Sequence, residues 1–197
     1  MALPEVVADV MTRLLGRRYL ESQYREMHAE GAFPGNSWRY HVKVAKEYIP
    51  ELASMRIVDF GCGPLGGVAG EFGDKVISYD PYVEQFSTPP WDQPFDVLFT
   101  TDVIEHMPLD QVDEMLARVR DSSARYLFAN ISIRKAFKRL PNGANAHMSV
   151  RPARFWLDRF RQVLGSSFQP LYAAEDLLRS EVTLCFGRDA SCKVDSG

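Results

Sequence analysis

Two carboxylates and two imidazoles give this sequence its clearest potential for chemistry. Asp102, Glu105 and His106 follow an apolar run, and their spacing lets all three face one side of a helical turn, while His147 comes later in a loop. Such groups can bind Mg, Mn or Zn, and an imidazole can act as a general base near neutral pH. We predict Asp102, His106 and His147 as catalytic residues and all four as metal ligands. The alternative is a glutamate that caps a helix beside a packed histidine.

A glycine-rich turn precedes these residues and indicates a nucleotide site. Gly61, Gly63 and Gly66 follow an apolar run, and Asp80 ends the next one. Glycine lets a buried strand turn sharply and lets the backbone approach a ligand closely. A carboxylate at the tip of the neighbouring strand can accept both hydroxyls of a ribose. NAD or FAD also fits this spacing, because a lone GxGxxG with a later acid is a weak signal.

Two further segments narrow the choice of cofactor. The run V-D-F-G-C-G at 58–63 resembles motif I of the class I S-adenosylmethionine-dependent methyltransferases. The segment 95–108 resembles the fourth strand of that family, often written FDxVxxxxVLEH. The resemblance implies S-adenosylmethionine as the cofactor and S-adenosylhomocysteine as the product. The cofactor-binding residues that it implies are Asp59, Gly61, Cys62, Gly63, Asp80, Pro81, Asp102 and Val103.

The acid and imidazole residues carry a second resemblance. Residues 102–106 with His147 are similar to the metal-binding ExxEH and later His of the small-RNA terminal 2'-O-methyltransferases, with Asp102 in place of the first Glu. They also resemble the ExxEH of quinone-pathway O-methyltransferases. The segments 79–90, 101–106 and 140–147 look like small bacterial and phage methyltransferases without a defined substrate.

Apolar runs alternate with helical patterns, which predicts an α/β fold with a parallel sheet covered on both faces. We predict strands at 56–60, 75–79, 96–102, 125–132, 168–174 and 181–187, and helices at about 65–72, 109–121 and 152–164. The last two strands resemble the reversed C-terminal hairpin of class I methyltransferases. Helices at 4–15, 18–30 and 36–49 precede the sheet, so 1–52 is predicted to form a lid and 53–197 a Rossmann-like core within a single domain.

The linker 81–95 is too short for the helix and strand that the family has at this point. Pro89, Pro90 and Pro94 favour an extended chain, so the third strand is predicted to be reduced or absent. Trp91 and Asp92 are candidates to replace the missing adenine contacts by stacking and by a hydrogen bond. A surface loop with a packed tryptophan is the alternative.

Composition sets the remaining limits. The chain has 197 residues, 46% of them hydrophobic and 25% charged, which suits one domain. Its net charge of −3 disfavours general nucleic-acid binding, and its apolar runs are too short for a membrane span. Glu5 and Asp9 argue against a secretory signal, so we expect a cytoplasmic protein. Three cysteines, one of them Cys192, suit reduced thiols better than disulfides.

We therefore predict methyl transfer to an oxygen or nitrogen of a small polar acceptor, such as a sugar or nucleotide. The basic run Arg134, Lys135, Lys138 and Arg139 is a candidate site for an anionic group of that acceptor, or a solvated surface. A metal-assisted RNA ribose 2'-O-methyltransferase is the runner-up. A cyclase or lyase that consumes the cofactor, and a module that binds cofactor or product without catalysis, remain open.

Overall fold

The computed structural model describes residues 4–33 and 36–189, so the predicted thiol of Cys192 lies outside the described residues. Six α-helices occur in these ranges: α1 Glu5–Leu15, α2 Arg17–Ala29, α3 Trp38–Tyr48, α4 Ala69–Phe72, α5 Leu109–Asp121 and α6 Ala153–Leu164. The strands are β1 Ile57–Phe60, β2 Val76–Tyr79, β3 Val97–Thr101, β4 Tyr126–Ser132, β5 Phe168–Asp176 and β6 Glu181–Arg188.

These strands form one sheet in the order β2-β1-β3-β4-β6-β5. The first four strands are parallel, whereas β6 runs antiparallel to both β4 and β5. Every residue of β1 and β3 is buried, as expected for parallel strands covered on both faces. The predicted mostly parallel sheet with a reversed C-terminal hairpin is confirmed.

Alternating side chains of the central strands divide the core into two layers. Leu98 and Leu127 face the side covered by α5 and α6, where Trp156 and Phe160 are fully buried. Phe99 belongs to the opposite cluster, which α3 covers. The sheet is therefore held between helices and presents its strand ends as the surface open to ligands.

The linker between β2 and β3 contains no strand. It forms two short 3₁₀ turns, Glu84–Phe86 and Pro90–Asp92, and β2 is the edge of the sheet. Trp91 packs against Phe60 and Phe95, with ring centroids 5.9 and 6.4 Å away. The predicted loss of the third strand is confirmed, and one tryptophan fills part of the space beside β1.

The helix predicted at about 65–72 is wrong in its extent, because only α4, a single turn, forms there. Gly67 adopts a φ of 53°, and a Cβ at this position would collide with the carboxylate of Asp59. That carboxylate lies on β1 and accepts a hydrogen bond of 2.8 Å from the backbone N–H of Val68. The Asp59 carboxylate thus binds the backbone N–H of Val68, and the helix begins only at Ala69.

Helices α1 and α2 pack on the loop after β4, whereas α3 covers one face of the sheet. Leu20, Tyr24 and Met27 of α2 pack on Leu140 and other residues of the loop after β4. None of the helices in 4–33 and 36–189 combines the length and apolar character of a transmembrane span. The sequence patterns for α1, α2 and α3 are confirmed to within two residues.

Candidate functional site

One large cleft lies where the carboxyl ends of β1, β2 and β3 meet the inner side of α2. Its volume is about 650 Å³, within the roughly 300–1,000 Å³ that is usual for small-molecule sites. Gly61 and Gly63 reach it from β1, Asp80 from β2 and Asp102 from β3. The parallel strands bring these residues together, since the carboxyl ends of neighbouring strands share one edge.

The turn after β1 exposes backbone to the cleft. Gly61 has a φ of 84°, and its N–H donates a hydrogen bond of 2.7 Å to the carbonyl of Tyr79. A Cβ on Gly61 would collide with the side chain of Val103. Glycine is therefore required here both for the backbone conformation and for the close approach of the next loop.

Asp80 is buried at the tip of β2, with only 4% of its surface exposed. Its Oδ2 accepts a hydrogen bond of 3.0 Å from the N–H of Gly63, and its Oδ1 accepts one of 2.9 Å from Tyr82. A carboxylate oxygen accepts more than one hydrogen bond, so each oxygen retains capacity for a ligand. The carboxylate therefore fixes the glycine turn and still lines the cleft.

The eight predicted cofactor residues fall into two groups. Asp59 and Cys62 are buried and do not line the cleft. Burial raises the pKa of Asp59 to about 7 and also raises the pKa of the Cys62 thiol. The six that line the cleft are Gly61, Gly63, Asp80, Pro81, Asp102 and Val103. Asp59 and Cys62 therefore support the turn from beneath.

The predicted acid and imidazole residues come together. Ligand atoms of Asp102, Glu105, His106 and His147 all lie within 4.8 Å of one another. Asp102 directly follows β3 with a φ of 59°, and the next two belong to the 3₁₀ turn Ile104–His106. His147 arrives from the loop after β4, and its ring lies edge to face against that of His106.

Backbone carbonyls orient both imidazoles. Nδ1 of His106 lies 2.8 Å from the carbonyl oxygen of Ala146, and Nδ1 of His147 lies 2.6 Å from that of Arg134. A carbonyl only accepts, so each Nδ1 carries the proton and each Nε2 keeps a lone pair. This arrangement is common among metal-bound histidines, whose second ring nitrogen donates to a neighbouring acceptor.

Glu105 completes the cluster from below. Its Oε1 accepts a hydrogen bond of 2.8 Å from the N–H of Ser132, whereas its buried Oε2 has no hydrogen-bond partner among the described residues. Burial, followed by the charge of Asp102, raises the pKa of Glu105 well above its usual value. Burial lowers the pKa of His106 to about 4 and also lowers that of His147. Neutral imidazoles beside an unpartnered carboxyl oxygen are a donor set that fits a divalent cation.

Most of the basic run after β4 is engaged within the chain. Lys135 and Arg139 both pair with Glu5 of α1, and the guanidinium of Arg134 lies over the ring of Phe137. Lys138 is the member of the run that lines the cleft. A single cation therefore reaches the cleft from this run.

Helix α5 contributes one wall of the cleft, which was not predicted from the sequence. Gln111, Glu114, Met115 and Arg118 line the cleft at spacings of three and four residues, so they share one face of the helix. The polar residues on this face of α5 were the only feature of the sequence that could have indicated its place in the cleft. Arg118 lies over the ring of Trp91, with its guanidinium carbon 5.6 Å from the ring centroid. His28 and Tyr24 of α2 line the cleft too, whereas His41 is buried elsewhere.

The chain resembles known proteins in structure but not in sequence. No protein-family model and no curated protein matches the chain. Among solved structures, it is similar to the 1,6-didemethyltoxoflavin-N1-methyltransferase of Burkholderia thailandensis, with a TM-score of 0.61, 11% identity, and coverage of 88% of this chain and 90% of that chain. The fold is that of the class I methyltransferases.

A second solved structure also shares this fold. An S-adenosylmethionine-dependent methyltransferase from Mesorhizobium loti gives a TM-score of 0.53 at 13% identity, with 74% of this chain and 96% of that chain covered. An rRNA methylase from Escherichia coli is similar at a TM-score of 0.49 and 10% identity, over 78% of this chain, which spans 65% of that protein. At these identities the likeness concerns the fold alone.

Proposed function

We propose that the chain is an S-adenosylmethionine-dependent methyltransferase that binds its cofactor in the cleft. The observation that carries the proposal is the meeting of the exposed Gly61–Gly63 backbone with the Asp80 carboxylate at one edge of a class I sheet. The solved structure of the Burkholderia thailandensis enzyme, which shares this fold, has S-adenosylhomocysteine bound. The cofactor supplies a methyl group that is already activated on a sulfonium.

The chain's own residues would orient that cofactor along the strand ends. Asp80 would accept the ribose hydroxyls, and the backbone of Gly61 and Gly63 would contact the amino-acid portion. Trp91 and Asp92 line the cleft beyond β2. The third strand, which would normally provide contacts to adenine here, is absent from the linker. We assign stacking on adenine to Trp91 and acceptance of the adenine amine to Asp92.

The acceptor would be a small molecule that presents an oxygen or nitrogen beside the acid and imidazole cluster. Alignment of that atom with the methyl carbon provides most of the rate advantage, so positioning by the cleft walls matters more than a strong base. His106 lines the cleft, and in the absence of a bound metal the lone pair on its Nε2 can take a proton from a hydroxyl. His147 and Asp102 would hold that imidazole and the acceptor in place.

A divalent cation fits the same cluster. Asp102, Glu105, His106 and His147 would hold it through two oxygens and two imidazole nitrogens, and the free Oε2 of Glu105 supports this assignment. A cation bound there would lower the pKa of an acceptor hydroxyl. The backbone carbonyls of Ala146 and Arg134 accept the Nδ1 protons, which leaves both Nε2 lone pairs for the cation.

This cluster also favours the runner-up, a metal-assisted ribose 2'-O-methyltransferase of RNA. RNA would require cations along its path to His147. Lys135 and Arg139 are paired with Glu5, which reduces the positive charge available there. A small acceptor, with any anionic group beside Lys138, is therefore our first choice.

Ligand binding and product analysis together test the proposal. We expect S-adenosylmethionine and S-adenosylhomocysteine to raise the melting temperature of chelator-treated protein and NAD not to do so. Formation of S-adenosylhomocysteine in an acceptor screen would support methyl transfer. Methylthioadenosine formed without an acceptor would instead indicate cyclase or lyase chemistry. Tight binding with no turnover of any acceptor would favour a non-catalytic module.

A further inference from the structure

Helix α1 directs its polar side toward the protein. Glu5 forms ion pairs with Lys135 and Arg139, and Asp9 accepts a hydrogen bond of 3.1 Å from the backbone N–H of Asn145. On the same side Ala8 and Thr12 are buried. The helix is therefore attached to the loop after β4 mainly by ionic and hydrogen-bonding contacts.

The opposite side of α1 is apolar and open to solvent. Five side chains form this α1 stripe, with the exposed fractions Val7 44%, Val10 51%, Met11 39%, Leu14 80% and Leu15 53%. Their spacing of three and four residues places them on one face of the helix. An amphipathic helix normally buries its apolar face, so this inverted arrangement indicates a surface that another partner covers.

We propose that the α1 stripe pairs with the α1 stripe of a second copy of this chain, antiparallel across a two-fold axis near Met11. The stripe changes in size along the helix, from Val7 and Val10 to Leu14 and Leu15. Antiparallel pairing of identical helices about Met11 sets Val7 of one copy against Leu15 of the other. A two-fold contact is self-complementary in this way, whereas parallel pairing would place leucine against leucine.

The size of the stripe suits a dimer of modest affinity. The exposed fractions correspond to roughly 400 Å² of apolar surface per copy, which could form the apolar core of a standard interface of about 800 Å² per partner. Two helices can approach each other closely along such a stripe, because none of its members is charged or aromatic. None of the five stripe residues lines the cleft, so the pairing is independent of the proposed reaction.

The charges around α1 favour a protein partner over a lipid surface. An interfacial membrane helix carries lysine and arginine on its polar face, whereas the charged side chains that the structure describes on α1 are Glu5 and Asp9. Beyond the C-terminal end of α1, Arg17 pairs with Glu21 and Glu114. None of Glu5, Asp9 and Arg17 therefore offers an unpaired positive charge to anionic lipids.

Sedimentation velocity over a range from low micromolar to near-millimolar concentration tests the pairing in the full chain. We expect a reversible monomer–dimer equilibrium, shifted at least about tenfold toward monomer by the double variant Val10→Gln, Leu14→Gln. Leu178→Gln is the matched control, since Leu178 is 99% exposed on the β5–β6 turn. Unchanged circular dichroism and melting temperature would show that each variant is folded.

Crosslinking tests the geometry separately. In a Cys192→Ser background, Met11→Cys should form an intermolecular disulfide under mild oxidation, because Met11 lies near the axis, and Leu178→Cys should not. Cys62 and Cys185 are buried and add no background. A protein that stays monomeric at every concentration would overturn the proposal. So would a dimer that ignores the double variant, or a monomer that sediments with anionic vesicles through the stripe.

Discussion

The rings of His106 and His147 lie edge to face with their centroids 4.7 Å apart, although they come from loops that follow different strands. Each donates its Nδ1 proton to a backbone carbonyl, so both Nε2 atoms are available in one place. The pair is thus built by two neighbouring parallel strands, β3 and β4, whose carboxyl ends deliver the two loops.

Removal of one imidazole should weaken metal binding and leave cofactor binding intact. His147→Asn keeps a donor for the carbonyl of Arg134 but lacks a nitrogen at the Nε2 position. We expect its affinity for Mn or Zn to fall at least about tenfold, as measured by calorimetry. Binding of S-adenosylhomocysteine by the same variant is the internal control. Equal metal affinity in both proteins would remove His147 from the ligand set.

Alanine should be tolerated poorly at Gly67, in the turn before α4, and well at Gly70, inside α4. Gly67→Ala introduces a Cβ that collides with Asp59 at a φ of 53°, and we expect it to lower the free energy of unfolding by about 2 kcal/mol or more. Gly70→Ala has no atom within 4 Å of the new Cβ.

That second substitution is the matched control for the first. Gly70 lies inside α4, where alanine is favoured by up to about 1 kcal/mol. Urea unfolding of both variants provides the comparison. Similar losses of stability in the two proteins would contradict the role assigned to Gly67.

The buried Asp59 should give the protein a characteristic pH dependence. Burial raises its folded pKa to about 7, so the folded state binds more protons than the unfolded state between about pH 4 and pH 7. Its contribution to stability is therefore present at low pH and is lost as the pH rises through 7. Asp59→Asn should abolish this loss while preserving an acceptor for Val68.

The quantity to measure is the difference in unfolding free energy between Asp59→Asn and the unmodified chain. We expect it to move in favour of the variant by on the order of 2 kcal/mol from pH 4.5 to pH 7.5. The difference cancels contributions from other groups, such as His41, whose pKa burial lowers to about 4. Parallel curves for the two proteins would show that Asp59 does not titrate in this window.

Local patterns were sufficient for much of the fold. Strands such as β1 and β3 consist mostly of apolar residues. Pro89, Pro90 and Pro94 argued against a regular third strand. The extent of α4 was not predictable, because it depends on the contact between Asp59 and Val68 across the fold. The exposure of Leu14 was also not visible, since a helical stripe in a sequence does not reveal which side faces the protein.

The candidate site, too, was predictable in part from the sequence and in part only from the folded structure. Spacing brought Asp102, Glu105 and His106 together, and the position of His147 after β4 suggested its approach. The hydrogen bonds from Gly63 and Tyr82 to the Asp80 carboxylate required the folded turn. They matter for its study, because substitution by alanine would remove a structural acceptor as well as a ribose contact.

Calorimetric titration of S-adenosylmethionine into chelator-treated protein, for the unmodified chain and for Asp80→Asn, tests the central claim most directly. We predict micromolar binding to the unmodified chain and at least about tenfold weaker binding to the variant, which keeps one acceptor oxygen for the turn. Asp74→Asn, on the 3₁₀ turn before β2, should bind like the unmodified chain. No binding to the unmodified chain, or equal binding to Asp80→Asn, would contradict the account.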